Sequence, residues 1–86
     1  MSNDEIEKFL AKQQIKDGQQ VKIVFKKRNT LYGIFIKGND YVDLKRKNFW
    51  RIVTSMNFEA WSRSKDINFA RIFNGSEFSS LAVKDI

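Results

Sequence analysis

Alternating apolar and polar residues over 31–44 predict a β-hairpin. Its first strand would span 31–37, a Gly-Asn-Asp turn would occupy 38–40, and its second strand would begin at Tyr41. Gly33 lies in the middle of the first strand, where a glycine costs stability unless the strand bends sharply or another chain segment approaches closely. Small closed barrels need such bends. The hairpin therefore predicts a small, strongly bent β-barrel.

The N-terminal segment has a different period. Its apolar residues recur at helical spacing, which predicts an amphipathic helix over about 4–14. Asn3 or Asp4 would cap this helix, and Asp17-Gly18 would form the turn that leads into the barrel. A helix of this length is too short to be stable alone in water, so we expect it to pack on the sheet.

Alternation predicts a mostly β chain with five antiparallel strands in meander order, at about 20–26, 31–37, 41–54, 67–72 and 78–83. Asn74-Gly75, between the last two strands, is a strong two-residue hairpin signal. Residues of about 47–66 form an atypical insertion, where either a helical turn capped by Asn57 or a plain loop fits the sequence. We predict one domain over 1–86, with its barrel at about 19–83.

Composition narrows the chemistry. The 86 residues include no cysteine and no histidine, which excludes a disulfide framework and removes the commonest acid–base catalyst. We expect neither enzymatic activity nor a cofactor. Asp40 and Asp43 could hold a hard cation, although a solvated turn is the more ordinary interpretation. No apolar run approaches the ~18 residues of a membrane span, so we expect a cytoplasmic protein without a membrane partner.

Positive charge is concentrated in the predicted barrel. The chain has 16 basic and 10 acidic residues, and the net charge of +6 comes from the part that follows the helix. Two basic triplets stand out, at residues 26–28 and 45–47. In a meander, these triplets would share one end of the barrel, and the 38–40 and 74–75 turns would lie at the other end. Basic side chains there would bind phosphates, with solubilising turns as the alternative. The phosphate-binding candidates are Lys26, Lys27, Arg28, Lys45, Arg46, Lys47 and Arg51.

Two segments carry a family resemblance. Gly33 is followed at the spacing of the first Sm-like motif by Tyr41-Val42-Asp43-Leu44, and the second motif has its counterpart in Ile72-Phe73-Asn74-Gly75. The chain therefore resembles the Sm-like (Hfq-like) family of small β-barrels. The family has asparagine where this chain has Asp43, and arginine where it has Asn74. Asp43 can only accept hydrogen bonds, and Asn74 supplies no charge.

The resemblance implies a non-enzymatic protein that binds single-stranded RNA by base stacking and phosphate contacts, with a role in post-transcriptional regulation. By position, the base pocket would be formed by Tyr41, Asp43, Asn74 and Gly75, with Tyr41 stacking on the base. The resemblance also implies a homo-oligomeric ring, since open edge strands pair readily between copies.

The two tryptophans leave two functions open. Trp50 and Trp61 could stack on bases or contact a partner. For at least one of them we favour a structural role, in which its ring covers apolar surface of the sheet. The alternative function is a protein–protein interaction module, in which an SH3-like barrel uses the Trp-bearing insertion to hold a protein partner. The two functions differ in salt dependence, because only nucleic-acid binding should weaken steeply with salt.

Overall fold

The computed structural model describes residues 1–15 and 18–84, so Asp17 of the predicted turn lies outside the described residues. Among the described residues, no helix has the length and apolar character needed to cross a membrane. Short 3-10 turns lie at Ser55–Asn57, Ile67–Phe69 and Gly75–Glu77. The helices and strands are α1 (Asn3–Lys12), β1 (Val21–Phe25), β2 (Leu31–Phe35), α2 (Tyr41–Arg46), β3 (Phe49–Thr54), α3 (Phe58–Ser64), β4 (Arg71–Asn74) and β5 (Phe78–Val83).

The predicted N-terminal helix is confirmed as α1, but its predicted cap is wrong. Ser2, rather than Asn3 or Asp4, caps the helix: its hydroxyl accepts a hydrogen bond from the Glu5 backbone N–H at 3.2 Å. The Glu5 carboxylate in turn accepts from the Ser2 backbone N–H at 2.9 Å, which completes a capping box. The apolar face of α1 is buried on the core of the sheet through Ile6.

The five strands form one antiparallel sheet in the order β4-β3-β2-β1-β5. The sheet is not closed into the predicted barrel, because β4 and β5 pair with no strand on their outer sides among the described residues. It is nevertheless strongly bent. The rings of Phe25 on β1 and Phe73 on β4 lie 5.9 Å apart, although two strands separate β1 from β4. Curvature therefore brings the turn after β1 close to β4.

The predicted third strand is wrong over its first half. Residues Tyr41–Arg46 form α2, and β3 begins only at Phe49. The connection between β2 and β3 is therefore a helix-bearing loop rather than a tight hairpin turn. Asn48 ends this loop with a φ of 62°, a left-handed conformation that asparagine adopts more readily than most residues.

The predicted Asn74-Gly75 hairpin is also wrong. β4 and β5 lie at opposite edges of the sheet, so only the first four strands form a meander. The 3-10 turn Gly75–Glu77 carries the chain across from β4 to β5. The fourth strand covers only Arg71–Asn74, and the predicted insertion at about 47–66 lies instead at 55–70, where a helix, α3, follows Asn57.

Gly33 sits where the sheet leaves no room for a side chain. It pairs with Val21 of β1 on one side and Thr54 of β3 on the other. A Cβ atom on Gly33 would collide with the Cγ2 methyl of Ile52 and lie 3.5 Å from Cδ1 of Ile23. The sequence favours a sharp bend as the reason for this glycine, and the structure adds a close approach by a core side chain on the neighbouring strand. Nine buried residues form this core: Ile6, Leu10, Val21, Ile23, Phe25, Trp50, Ile52, Phe73 and Phe78.

Candidate nucleic-acid interface

The turn at residues 74–77 lies beside the first basic triplet. The backbone N–H of Lys26 donates to the carbonyl of Glu77 at 3.0 Å, which fixes the start of the β1–β2 turn against the end of the crossing turn. Lys26, Lys27 and Arg28 are exposed and line a cleft together with Ser76 and Glu77. The prediction that this triplet and the 74–75 turn occupy opposite ends is therefore wrong.

The second basic triplet approaches the same turn from its other side. The backbone N–H of Gly75 donates to the carbonyl of Asn48 at 2.7 Å, and Phe49 pairs with Asn74 across β3 and β4. Lys47, which is exposed, directly precedes Asn48 in the chain. Residues 74–77 are consequently bordered by Lys26 on one side and by the end of the 45–47 triplet on the other.

Gly75 has a structural role at the centre of this arrangement. A Cβ atom there would collide with the Asn48 side-chain oxygen and with Cδ1 of Ile6, and would lie 2.8 Å from the indole nitrogen of Trp50. The Asn48 amide donates to the carbonyl of Met1 at 2.9 Å, and its oxygen accepts from the Trp50 indole N–H at 2.8 Å. Gly75 is thus required by close packing, and it is buried rather than open to a base.

Arg28 is held above two core aromatic rings. Its guanidinium carbon lies 4.9 Å from the centre of the Phe25 ring and 5.7 Å from that of Phe73. Both rings are buried in the core, so they provide a fixed support for the cation. Arg28 forms no ion pair with any of the described residues, and the side chain remains exposed.

A second cleft continues from Arg28 along β4, and it is lined by Arg28, Phe49, Arg71, Phe73 and Asn74 among others. The Asn74 side-chain oxygen accepts from the backbone N–H of Ser76 at 3.0 Å and from its hydroxyl at 2.8 Å. Because a backbone N–H can only donate, these bonds assign the oxygen to the Ser76 side and leave the Asn74 amino group facing away from it.

The predicted base pocket is not brought together. Tyr41 lies on α2 in a different cleft, lined by Glu7, Phe35 and Lys37, that has no residue in common with the Asn74 cleft. Its ring packs edge-on against Trp50, with the centres 6.0 Å apart. The predicted partner on the same helix, Asp43, is exposed and has no hydrogen-bond partner among the described residues.

Cations surround the Tyr41 ring. The Lys37 and Lys45 ammonium nitrogens lie 5.4 and 5.5 Å from its centre. Burial raises the pKa of the Tyr41 phenol above its ordinary value, and the Lys45 charge opposes this in part. Tyr41 is therefore a half-buried ring that already has cations near it, which leaves less of its surface for a base than the sequence predicts.

Two of the predicted phosphate-binding cations are engaged in ion pairs. The Lys45 ammonium lies 3.0 Å from the Glu7 carboxylate, and the Arg51 guanidinium lies 2.5 Å from the Asp40 carboxylate. The second pair attaches the loop before α2 to β3, so Asp40 is a structural partner rather than a cation ligand. The candidates without such a pair among the described residues are Lys26, Lys27, Arg28, Arg46 and Lys47.

The two tryptophans have different surroundings. Trp50 is 1% exposed and belongs to the core, so it cannot offer a face to a base. Trp61 on α3 is half-buried and lines an open cleft with Phe35 and Lys37. The ammonium of Lys65 sits 4.0 Å from the centre of the Trp61 ring. Of the two, only Trp61 remains a candidate for partner contact.

Arg71 is the functional candidate that the sequence did not reveal. It occupies an exposed position on β4, three residues before Asn74, and lines the same cleft as Arg28. Alternation assigns Arg71 to a face of the strand, but only the bend of the sheet places it near the β1–β2 turn. No sequence signal could have predicted that proximity.

No protein-family model, curated protein or solved structure matches the chain. The resemblance to the Sm-like family accordingly remains a prediction from the two sequence motifs. The structure contains the N-terminal helix and the five-stranded antiparallel sheet that the resemblance implies, but in an open form.

Proposed function

We propose that this chain is a non-enzymatic, Sm-like domain that binds single-stranded RNA, with a role in post-transcriptional regulation. The RNA-binding surface consists of the 74–77 turn and the basic side chains on either side of it, and we call it the basic surface. It comprises Lys26, Lys27, Arg28, Lys47 and Arg71, with Arg46 next to Lys47 in the chain.

One observation carries the proposal. Two backbone hydrogen bonds, from Lys26 to Glu77 and from Gly75 to Asn48, join the first basic triplet, and the residue that follows the second, to one short turn. Lys26, Lys27 and Arg28 line one cleft with Glu77, and Arg28 and Arg71 line a second cleft with it. The Lys26 charge also acts on the Glu5 carboxylate at the start of α1. A phosphate backbone crossing this surface would release counterions, which is the main source of sequence-independent nucleic-acid affinity.

The proposal predicts a specific salt dependence. The logarithm of the affinity for a labelled oligo-U or oligo-A strand should fall linearly with the logarithm of the salt concentration, with a slope of roughly −0.7 per phosphate contact. Replacing Lys26 and Lys27 with glutamine should weaken binding to both sequences alike and flatten the slope by roughly 1.4 if each contacts one phosphate. The measurement is fluorescence anisotropy at several salt concentrations.

A matched variant separates local contacts from net charge. Replacing Lys8 and Lys12 on α1 with glutamine removes the same two charges from exposed positions outside the basic surface. This variant should keep most of the affinity and the slope of the parent. Equal losses of affinity in the two variants would mean that only the net charge of the protein matters and that the basic surface makes no specific contacts. Absence of RNA binding by the parent at low salt would refute the proposal.

The protein-interaction alternative rests on the segment after β3. Met56 there is 88% exposed, and Trp61 lines an open cleft. An interface anchored by these apolar groups would lose little affinity with salt, in contrast to RNA binding. The homo-oligomeric ring is likewise a proposal, supported by the unpaired outer edges of β4 and β5 in the described part of the chain and testable by light scattering.

A further inference from the structure

We propose that Arg28 is a stacking platform for one nucleobase, and that the cleft between the β1–β2 turn and β4 is a nucleotide subsite. This inference rests on the proposed function, since it assigns one base of the bound RNA to a particular place. It gives Arg28 a role that differs from that of a phosphate-binding cation.

The support under Arg28 is the first argument. Phe25 and Phe73 are 6% and 8% exposed, and their rings lie 5.9 Å apart with a 44° tilt. The T-shaped contact of Phe25 with Phe78, at 5.2 Å between ring centres, fixes them further. Because the guanidinium rests on rings that cannot move far, its position is preorganised before any ligand binds.

The chemistry of arginine is the second argument. A guanidinium is planar, delocalised and weakly hydrated, so its face stacks on an unpaired base, whereas a lysine ammonium acts only as a point charge. Arg28 is exposed on the side away from the core and has no carboxylate partner in the described residues. A base on that side would complete a layered arrangement of base, guanidinium and phenylalanine.

The remaining walls of the cleft, apart from the carboxylate of Glu77, suit a nucleotide. Phe49 contributes apolar surface, and the exposed Arg71 supplies a second cation for the phosphate. Asn74 keeps its oxygen on Ser76 and has its amino group left to donate. The free amino group can donate to a uracil carbonyl, whereas the two-bond contact of asparagine with adenine also needs its oxygen, which already accepts two bonds from Ser76. We therefore expect this subsite to favour uracil over adenine.

A charge-conserving substitution tests the stacking. Arg28→Lys keeps the positive charge but removes the planar group, and Arg63→Lys is the matched control, at an exposed position on α3 outside the basic surface. Arg28→Lys should weaken oligo-U binding about tenfold, within the range for loss of one stacked base, while the salt slope stays the same. Arg63→Lys should bind like the parent.

A spectroscopic probe distinguishes stacking from a purely electrostatic contact. An oligo-U strand with one pyrrolocytosine, a fluorescent pyrimidine that keeps a carbonyl, should lose fluorescence on binding to the parent, because stacking quenches this base, and should regain it with Arg28→Lys. Asn74→Ser, which retains an oxygen to accept from Ser76, should reduce the preference for oligo-U over oligo-A.

The outcomes separate the two proposals. If the parent binds no RNA, the proposed function itself fails. If the parent binds RNA but Arg28→Lys matches it in affinity and quenching, the stacking inference is overturned while the function stands. An unchanged melting temperature of Arg28→Lys, expected for an exposed side chain, shows that its weaker binding is not due to unfolding.

Discussion

Adding a single methyl group at Gly33 should destabilise the fold, although glycine-to-alanine changes in strands usually stabilise. The new Cβ would collide with the Cγ2 methyl of Ile52 and would lie 3.4 Å from the carbonyl of Val53. Ile52 is 0% exposed and Ile23, on the other side, is 1% exposed, so neither can move into solvent. The added methyl must therefore be accommodated by a shift of the strands.

The expected change in the free energy of unfolding is the difference between two opposing effects. Overpacking a filled core costs about 1–3 kcal/mol, and removing a glycine lowers the entropy of the unfolded chain by the equivalent of about 0.4–1 kcal/mol. The net loss for Gly33→Ala should be about 1–2 kcal/mol, or roughly 4–16 °C in melting temperature for a domain of this size. Thermal and urea unfolding followed by circular dichroism would measure it.

A double-mutant cycle identifies the clash as the cause. Ile52→Leu removes the β-branched methyl that the new Cβ would meet, at a cost below about 1.5 kcal/mol. Gly33→Ala combined with Ile52→Leu should therefore lose less stability than the sum of the single changes. A Gly33→Ala variant as stable as the parent, or strictly additive effects, would refute this explanation of the strand glycine.

Three further predictions concern the N-terminal cap, the loop before β3 and α2. Because its bonds to Ser2 lower the pKa of Glu5, the capping box stabilises the fold above pH 4.5, and this stability is lost as pH falls. The Glu5→Gln variant should show a weaker acid dependence in pH-dependent unfolding. Asn48→Ala should cost more than Asn48→Gly in urea unfolding. Both changes leave the Trp50 N–H unpaired, at about 1–3 kcal/mol, but only alanine adds left-handed strain of about 1–2 kcal/mol. Burial raises the pKa of Tyr41 above 10.0, so the unfolded chain ionises first and stability should fall as pH rises above that value. The Tyr41→Phe variant should lose part of this alkaline destabilisation.

The spacing of apolar residues was sufficient to predict a helix or strand where the segment follows a single period and buries one face. The helix over 3–12 and the first strand follow from apolar spacing, and each buries that apolar face. The second and last strands form where alternation predicts them, but the adjacent Gly33 and Ile34 are both buried in β2, and only Phe78 is buried in β5. The helix cap was missed because Ser2 precedes two equally good cap residues. The Glu5 carboxylate, three residues after Ser2, was the signal that distinguishes Ser2.

Segments of about six residues could not be assigned by period alone. Tyr-Val-Asp-Leu at 41–44 alternates as a strand does, but Tyr41 and Leu44 also share one face of a helix. In the structure this segment forms a helix, and the Tyr41 ring packs against Trp50. Asn74-Gly75 was ambiguous in the same way. Glu77, three residues after Asn74, fits the start of a helical turn, and that turn is what forms.

Most residues of the candidate site were among the sequence predictions, but Arg71 and the arrangement of the site were not. The basic triplets were visible in the sequence, whereas their common border with the 74–77 turn depends on the bend of the sheet. A flat meander separates Arg28 from Asn74, and a bent sheet places them in one cleft. The curvature of the sheet is set by packing between distant residues, such as that of Phe25 on Phe73. The alternation of apolar and polar residues along a strand does not predict it.

Mapping the bound RNA on the protein is the most direct test of the central claim. Backbone amide chemical shifts of the ¹⁵N-labelled chain, recorded during titration with oligo-U, would locate the interface residue by residue. We predict that the largest shifts fall at residues 26–28, 47–49 and 71–77, and that the amides of α3 around Trp61 change little. Shifts concentrated on α3, or the absence of any salt-sensitive change, would contradict the assignment of RNA binding to the basic surface.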